Sequence, residues 1–155
     1  MHDIEQTHLS TNTGNLVIDA FVSNHMSIAH NENINFNTDI QSISGSLPIS
    51  DYDFSIILGN LLDNSLNACR KISCSFPRQI SVTLFTTELE FVIHISNTTF
   101  KEDKCLNTEY EQLYHGYGQK NIAKIVQKYS GVYTNYTENN WYHSIISIPL
   151  VVPQK

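Results

Sequence analysis

The stretch Asp53-Phe54-Ser55-Ile56-Ile57-Leu58-Gly59-Asn60-Leu61-Leu62-Asp63-Asn64-Ser65-Leu66-Asn67-Ala68-Cys69 carries two patterns at once. Phe54, Ile57, Leu58, Leu61, Leu62, Leu66 and Cys69 recur at helical spacing and form one apolar stripe. Ser50 or Asp51 caps the helix, Asp51 and Asp53 set negative charge at its positive dipole end, and Pro77 lies beyond its end. On the polar side, at about 100° per residue, Asn60, Asn64, Asn67 and Lys71 fall within an arc of about 60° that borders the stripe. The chain holds 16 asparagines, so their number says little and their placement decides. An amide oxygen is a neutral, hard ligand suited to a Mg²⁺ ion that arrives with a polyphosphate. The same face also reads as a merely solvated helix surface.

The segments outside this helix set its fold. Upstream, Ile18, Phe21, Val22, Met26 and Ala29 predict a helix from Asn15 to about His30, and Ile34, Phe36 and Ile40 a strand. Downstream, Ile80–Leu84 and Leu89–Ile95 alternate as an antiparallel hairpin around Thr86–Glu88. Residues 97–115 lack a period and are long for a connection, which predicts a lid or binding loop. A helix with Ile122, Ile125, Val126 and Tyr129 on one face follows, closed by Gly131 as a left-handed cap, and Val132–Tyr136 and Trp141–Leu150 form a last hairpin. One-sided helices interleaved with hairpins predict an α/β two-layer sandwich, a mixed sheet with helices on one face. Residues 1–14 are polar and aperiodic and are expected to be flexible; residues 15–155 form one domain.

Composition narrows the function. The chain has 155 residues, 41% hydrophobic and 15% charged, enough to bury a core without staples. Its net charge, 9 − 15 = −6, has no basic run, which argues against nucleic acid as a partner. No stretch approaches the ~20 apolar residues of a membrane span, so no membrane contact is expected. The odd count of cysteines, Cys69, Cys74 and Cys105, lacks metal-ligand spacing and fits reduced thiols in a cytoplasm.

A second constellation lies at His115-Gly116-Tyr117-Gly118-Gln119-Lys120-Asn121-Ile122. Two glycines before a helix let backbone approach a ligand, the helix start offers free N–H groups to an anion, and Lys120 adds a point charge. A tight loop entering a helix is the plainer reading. His25 and His30, five apart, are poorly spaced as metal ligands on one helical face, and His94 reads as a sheet residue.

Taken in order, the two segments carry a family resemblance. Residues 53–69 closely resemble the N-box of the GHKL ATPase and kinase superfamily, and Gly116–Ile122 resembles its second glycine box. The hairpin ending in Ile95-Ser96-Asn97, the lid and the terminal hairpin match the same order. Thr13-Gly14-Asn15-Leu16-Val17-Ile18-Asp19 is similar to one branch, the peptide-pheromone (agr-type) sensor histidine kinases. The resemblance implies the Bergerat fold, ATP and Mg²⁺ as cofactors, and transfer of the γ-phosphate to a histidine on a separate dimerisation domain.

By the same resemblance, Asn64 is the Mg²⁺ ligand and Asn60 contacts metal or phosphates. Asn97 stands where the family has an aspartate that accepts from the adenine amino group, and Gly116, Gly118 and Lys120 face the phosphates. ATP-hydrolysing relatives carry a glutamate base at the position of Asn60. An amide takes no proton from water, which favours phosphoryl transfer over hydrolysis. The departures are Asn67 for a basic residue, with Lys71 one turn on, Thr98-Thr99 for a glycine, and Gln119 for leucine. They keep open a regulatory binding module without turnover, and an anti-sigma-type serine kinase ranks last. The implied setting is a monomeric cytoplasmic domain of a membrane-anchored sensor, with a response regulator downstream.

Overall fold

The computed structural model describes residues 11–41, 43, 46–73, 75–100 and 109–150. Eight elements follow in chain order: α1 (Leu16–Asn31), β1 (Asn35–Ile40), α2 (Asp51–Arg70), β2 (Gln79–Thr86), β3 (Glu90–Thr98), α3 (Glu109–Lys128), β4 (Val132–Glu138) and β5 (Trp141–Pro149). The strands form one sheet in the order β1-β2-β3-β5-β4. β1 and β2 run parallel, as a strand–helix–strand crossover requires, and the other pairs are antiparallel.

Alternation along the strands gives the sheet one apolar face. Ile80, Val82 and Leu84 of β2, Phe91, Ile93 and Ile95 of β3, and Ile146 and Ile148 of β5 all enter one core. Ile18 and Val22 of α1, the stripe Phe54 to Cys69 of α2, and Ile122 and Val126 of α3 complete it. All three helices therefore cover a single face, in the two-layer mixed-sheet sandwich expected. Among the described residues no helix is long and apolar enough to cross a membrane.

Local chemistry sets the helix starts. The Asn15 side chain accepts from the backbone N–H of Val17 and Ile18, and Ser50 Oγ accepts from Asp53 N at 3.2 Å. Thr11 and Thr13 donate to Asp19 of α1, and Thr11 N donates to Ser23 Oγ. Residues 1–10, Cys74 and Cys105 lie outside the described residues, as does the 101–108 part of the expected lid.

Three sequence expectations need correction. β3 runs on to Thr98, so Asn97 is a strand residue and not the start of the long connection. α3 begins at Glu109, which makes Gly116 and Gly118 helical rather than a loop before a helix. Glu, Gln and Leu between residues 109 and 113 favour the helix, and two glycines, at about 1 kcal/mol each against alanine, do not end it. Finally, the left-handed residue closing α3 is Ser130, with φ 57°, not Gly131. Gly131 answers a steric demand instead, since a Cβ there would lie 2.6 Å from Ser147 O of β5.

Candidate functional site

α2 lies between α1 and α3, and its two flanks do different work. Toward α1, His25 is buried with Nδ1 2.7 Å from Phe21 O and Nε2 2.8 Å from Asp63 Oδ1. A Cβ on Gly59 would sit 3.1 Å from the Phe21 ring, so the glycine sets how closely α1 approaches. Toward α3, Asp53 is buried and accepts from Lys128 Nζ at 2.8 Å and Tyr129 OH at 2.5 Å. These partners, Lys128 first, hold the Asp53 carboxyl below its ordinary value, and the pair anchors the start of α2 to the end of α3. His25 and Asp53 are thus structural ties. They leave the polar arc of α2 as the open side.

On that arc Asn60 and Asn64 are half-buried. Asn60 Nδ2 donates to Ile56 O one turn back at 2.9 Å. With its amide hydrogen turned to the helix, Asn60 presents Oδ1 outward, and a Cβ built on Gly118 of α3 would lie 3.6 Å from that oxygen. Asn64 has no side-chain hydrogen-bond partner among the described residues. Asn67 departs from the group: its Oδ1 accepts from Arg70 Nη1 at 2.9 Å, and Arg70 pairs with Glu32 through two bonds of 2.7 Å. Lys71 and Lys120 are exposed. The surroundings of Gly116 lie outside the described residues.

Asn97 comes to the same side from the sheet. It is two residues beyond Ile95, so strand alternation turns it toward the helices, and it is 2% exposed. Its Nδ2 donates to Thr98 O at 3.0 Å, which leaves Oδ1 as the remaining acceptor. Across the sheet Asn97 pairs with Tyr142 of β5. Gln119 Nε2 of α3 reaches the Tyr142 hydroxyl at 3.2 Å. Gln119 therefore keeps a contact between α3 and the strand that carries Tyr142, where its amide was expected only to replace an apolar contact. Burial, with Tyr133 beside it, raises the pKa of Tyr142 and keeps its hydroxyl protonated. Tyr142 is a residue that sequence reading did not single out. The signal lay in register, since a residue directly opposite Asn97 must share its face.

The geometry thus brings Asn60, Asn97 and Gly118 to the helix-facing side around α2, with Gln119 and Tyr142 bridging α3 to the sheet. Two asparagines are wired alike, each spending an N–H on a backbone carbonyl and keeping a neutral oxygen acceptor. Such acceptors suit a base amino group or a hard cation. Among the described residues no three His, Cys, Asp or Glu side chains are grouped to hold a metal. A divalent ion here would rest on amide oxygen, water and the phosphates it carries.

Comparison with known proteins bears on the family and the fold. A family model described as the GHKL domain matches residues 49–149. No curated protein matches the chain. Among solved structures, the nucleotide-free catalytic domain of histidine kinase ThkA is similar at TM-score 0.68 and 15% identity, over 89% of this chain and 92% of that one. The histidine kinase domain of a blue-light-activated kinase from Erythrobacter litoralis follows at TM-score 0.61 and 12% identity, over 91% of this chain and 64% of that one. The mycobacterial sensor histidine kinase MprB is similar at TM-score 0.58 and 14% identity, over 86% and 93%. At these identities the likeness is one of fold. The family model covers residues 49–149, from the start of α2 to the end of β5, and the chain belongs to the GHKL domain family.

Proposed function

We propose that this GHKL domain binds Mg-ATP and serves as the catalytic domain of a two-component sensor histidine kinase, of the peptide-pheromone (agr-type) branch. It presents the γ-phosphate to a histidine on a separate dimerisation domain, and a response regulator receives it next. The observation that carries this reading is the matched wiring of Asn60 and Asn97, two residues on the helix side of the sheet that each donate to a backbone carbonyl and keep the amide oxygen as an acceptor. Asn97 Oδ1 takes the adenine amino group. Asn64 and Asn60 hold the ion, and Gly118 with Lys120 lies along the phosphates.

The magnesium ion, when bound, neutralises charge on the phosphates and orients them. The protein's share is positioning. Asn60 and Asn64 are neutral and take no proton from water, so nothing on this arc activates a hydrolytic nucleophile. The reading includes a cytoplasmic domain, residues 15–155, that is monomeric without its dimerisation partner and belongs to a membrane-anchored sensor. A binding module without turnover is the second reading. The helical state of Gly116 and Gly118 favours it, because helical N–H groups are already engaged by the preceding turn.

Calorimetric titration of Mg-ATP into the chain, beside Asn64→Ala, is the test. Saturable binding lost in the variant supports the site. Phosphate appearing in acid-labile form on a histidine-bearing helical hairpin then separates the kinase from the module. No heat up to millimolar ATP overturns the catalytic reading.

A further inference from the structure

The face of the sheet opposite the helices carries a cluster that the nucleotide site does not use. By strand alternation His94 of β3 and His143 of β5 both point there, away from Ile95, Asn97 and Tyr142. His94 is registered with Ile145 and His143 with Ser96, so the two imidazoles are diagonal neighbours on adjacent strands. Their nitrogens Nε2 and Nδ1 face each other at 3.0 Å. Tyr136 of β4 stacks on the His143 ring at 4.7 Å with 18° between planes, which fixes that ring from its far side.

Two nitrogens so placed are close enough to share one ion; with ring centroids 5.2 Å apart they meet edge to edge as an N–H···N pair, and each ring tips its lone pair toward the ion on binding. With metal–nitrogen bonds of about 2.0–2.1 Å, a 3.0 Å separation subtends about 90–100° at the ion. That is the angle between neighbouring positions of an octahedral or tetragonal ion, and imidazole is a ligand such ions favour. Burial and the adjacent His143 push the pKa of His94 below its ordinary value, so this ring is the free base a metal needs. The net charge of −6 attracts cations to the molecule as a whole.

We propose that His94 Nε2 and His143 Nδ1 form an open two-histidine site for a divalent transition ion of octahedral or tetragonal preference, with water in the remaining positions. In the ion-free pair one of the two facing nitrogens carries the shared proton. Binding moves that proton, through solvent, to the other nitrogen of its own ring, so no proton is lost overall. The ion clips β3 to β5, the strands whose ends hold Asn97 and Tyr142.

The test is calorimetric titration of the full chain with NiCl₂ at neutral pH. The wild type, His94→Gln, His143→Gln and His30→Gln are compared, with circular dichroism confirming the fold of each. The proposal expects a one-equivalent event, weakened tenfold or more in His94→Gln and in His143→Gln and unchanged in His30→Gln. Equal uptake by the wild type and the His94 and His143 variants overturns it. Nuclear magnetic resonance of the wild type provides a second readout that needs no variant. Sub-stoichiometric Ni²⁺ broadens the His94 and His143 imidazole resonances first; earlier broadening at any other histidine also overturns the site.

Discussion

At the scale of single residues, the chain's many asparagines are not equivalent. Asn67 is spent on Arg70, whereas Asn60 and Asn97 turn their hydrogens onto backbone carbonyls and keep an oxygen in reserve. Reversing either amide would set oxygen against oxygen, so the acceptor is built in by the backbone rather than by a ligand. Asn97→Ala removes the acceptor and is expected to weaken Mg-ATP binding about tenfold, the value of one well-made hydrogen bond. Asn97→Asp keeps an acceptor but sets its second oxygen against Thr98 O, so it should bind more tightly than Asn97→Ala while melting below the wild type; calorimetry and thermal denaturation of both variants check the pair. Gly131 makes a different demand. An alanine methyl there meets Ser147 O at 2.6 Å and Val126 Cγ1 at 2.9 Å, both held by β5 and α3. Gly131→Ala is expected to cost about 1–3 kcal/mol, read as a lower denaturant midpoint at unchanged slope.

At the scale of elements, α2 was legible in the sequence because cap, dipole charges and apolar stripe agree on one helix. The hairpins were legible from alternation and short turns. The start of α3 was not, because Gly116 and Gly118 carry the same signal whether they end a loop or interrupt a helix. Only neighbouring residues 109–115, which have no apolar period, argue between the two. Asn97, Gly118 and Gln119 were picked out by motif, Gln119 only as a departure, but Tyr142 and its link to Gln119 were not, since that link depends on β3–β5 register. The helical glycines give a prediction with opposed signs. Gly118→Ala meets only ordinary contact with Asn60, at 3.6 Å, and removes up to about 1 kcal/mol of glycine's helix penalty. It should melt higher yet bind Mg-ATP more weakly if the phosphate-facing backbone must leave the helix; equal binding would retain the helix in the bound state. The α2–α3 anchor titrates as well. Lys128 and Tyr129 lower the Asp53 pKa, so its contribution is present above the unfolded value of about 4 and is lost as pH falls through the lowered one. Asp53→Asn should therefore melt below the wild type at pH 6–7, by a few degrees, with the gap closing in acid.

At the scale of the whole molecule, the sandwich separates two chemistries by its sheet. The helix side gathers Asn60, Asn97 and Gly118 around α2. The outer side shows the His94–His143–Tyr136 ladder instead. Both sides share β3, so each residue of that strand serves one face or the other by parity alone. Coupling to ligand should then be visible in global stability, because a ligand that binds only the folded chain stabilises it by mass action. At a concentration a hundred times its dissociation constant that gain is about 2.7 kcal/mol. For a chain of this length the melting temperature rises by about 5–10 °C. Mg-ATP is expected to produce that rise in the wild type and in His94→Gln, and to lose most of it in Asn64→Ala, followed by thermal denaturation across an ATP series. A rise of equal size in Asn64→Ala would move the nucleotide off the polar arc of α2. A rise abolished in His94→Gln would instead show that the outer face of β3 governs the inner one, and the two sides would have to be treated as a single site.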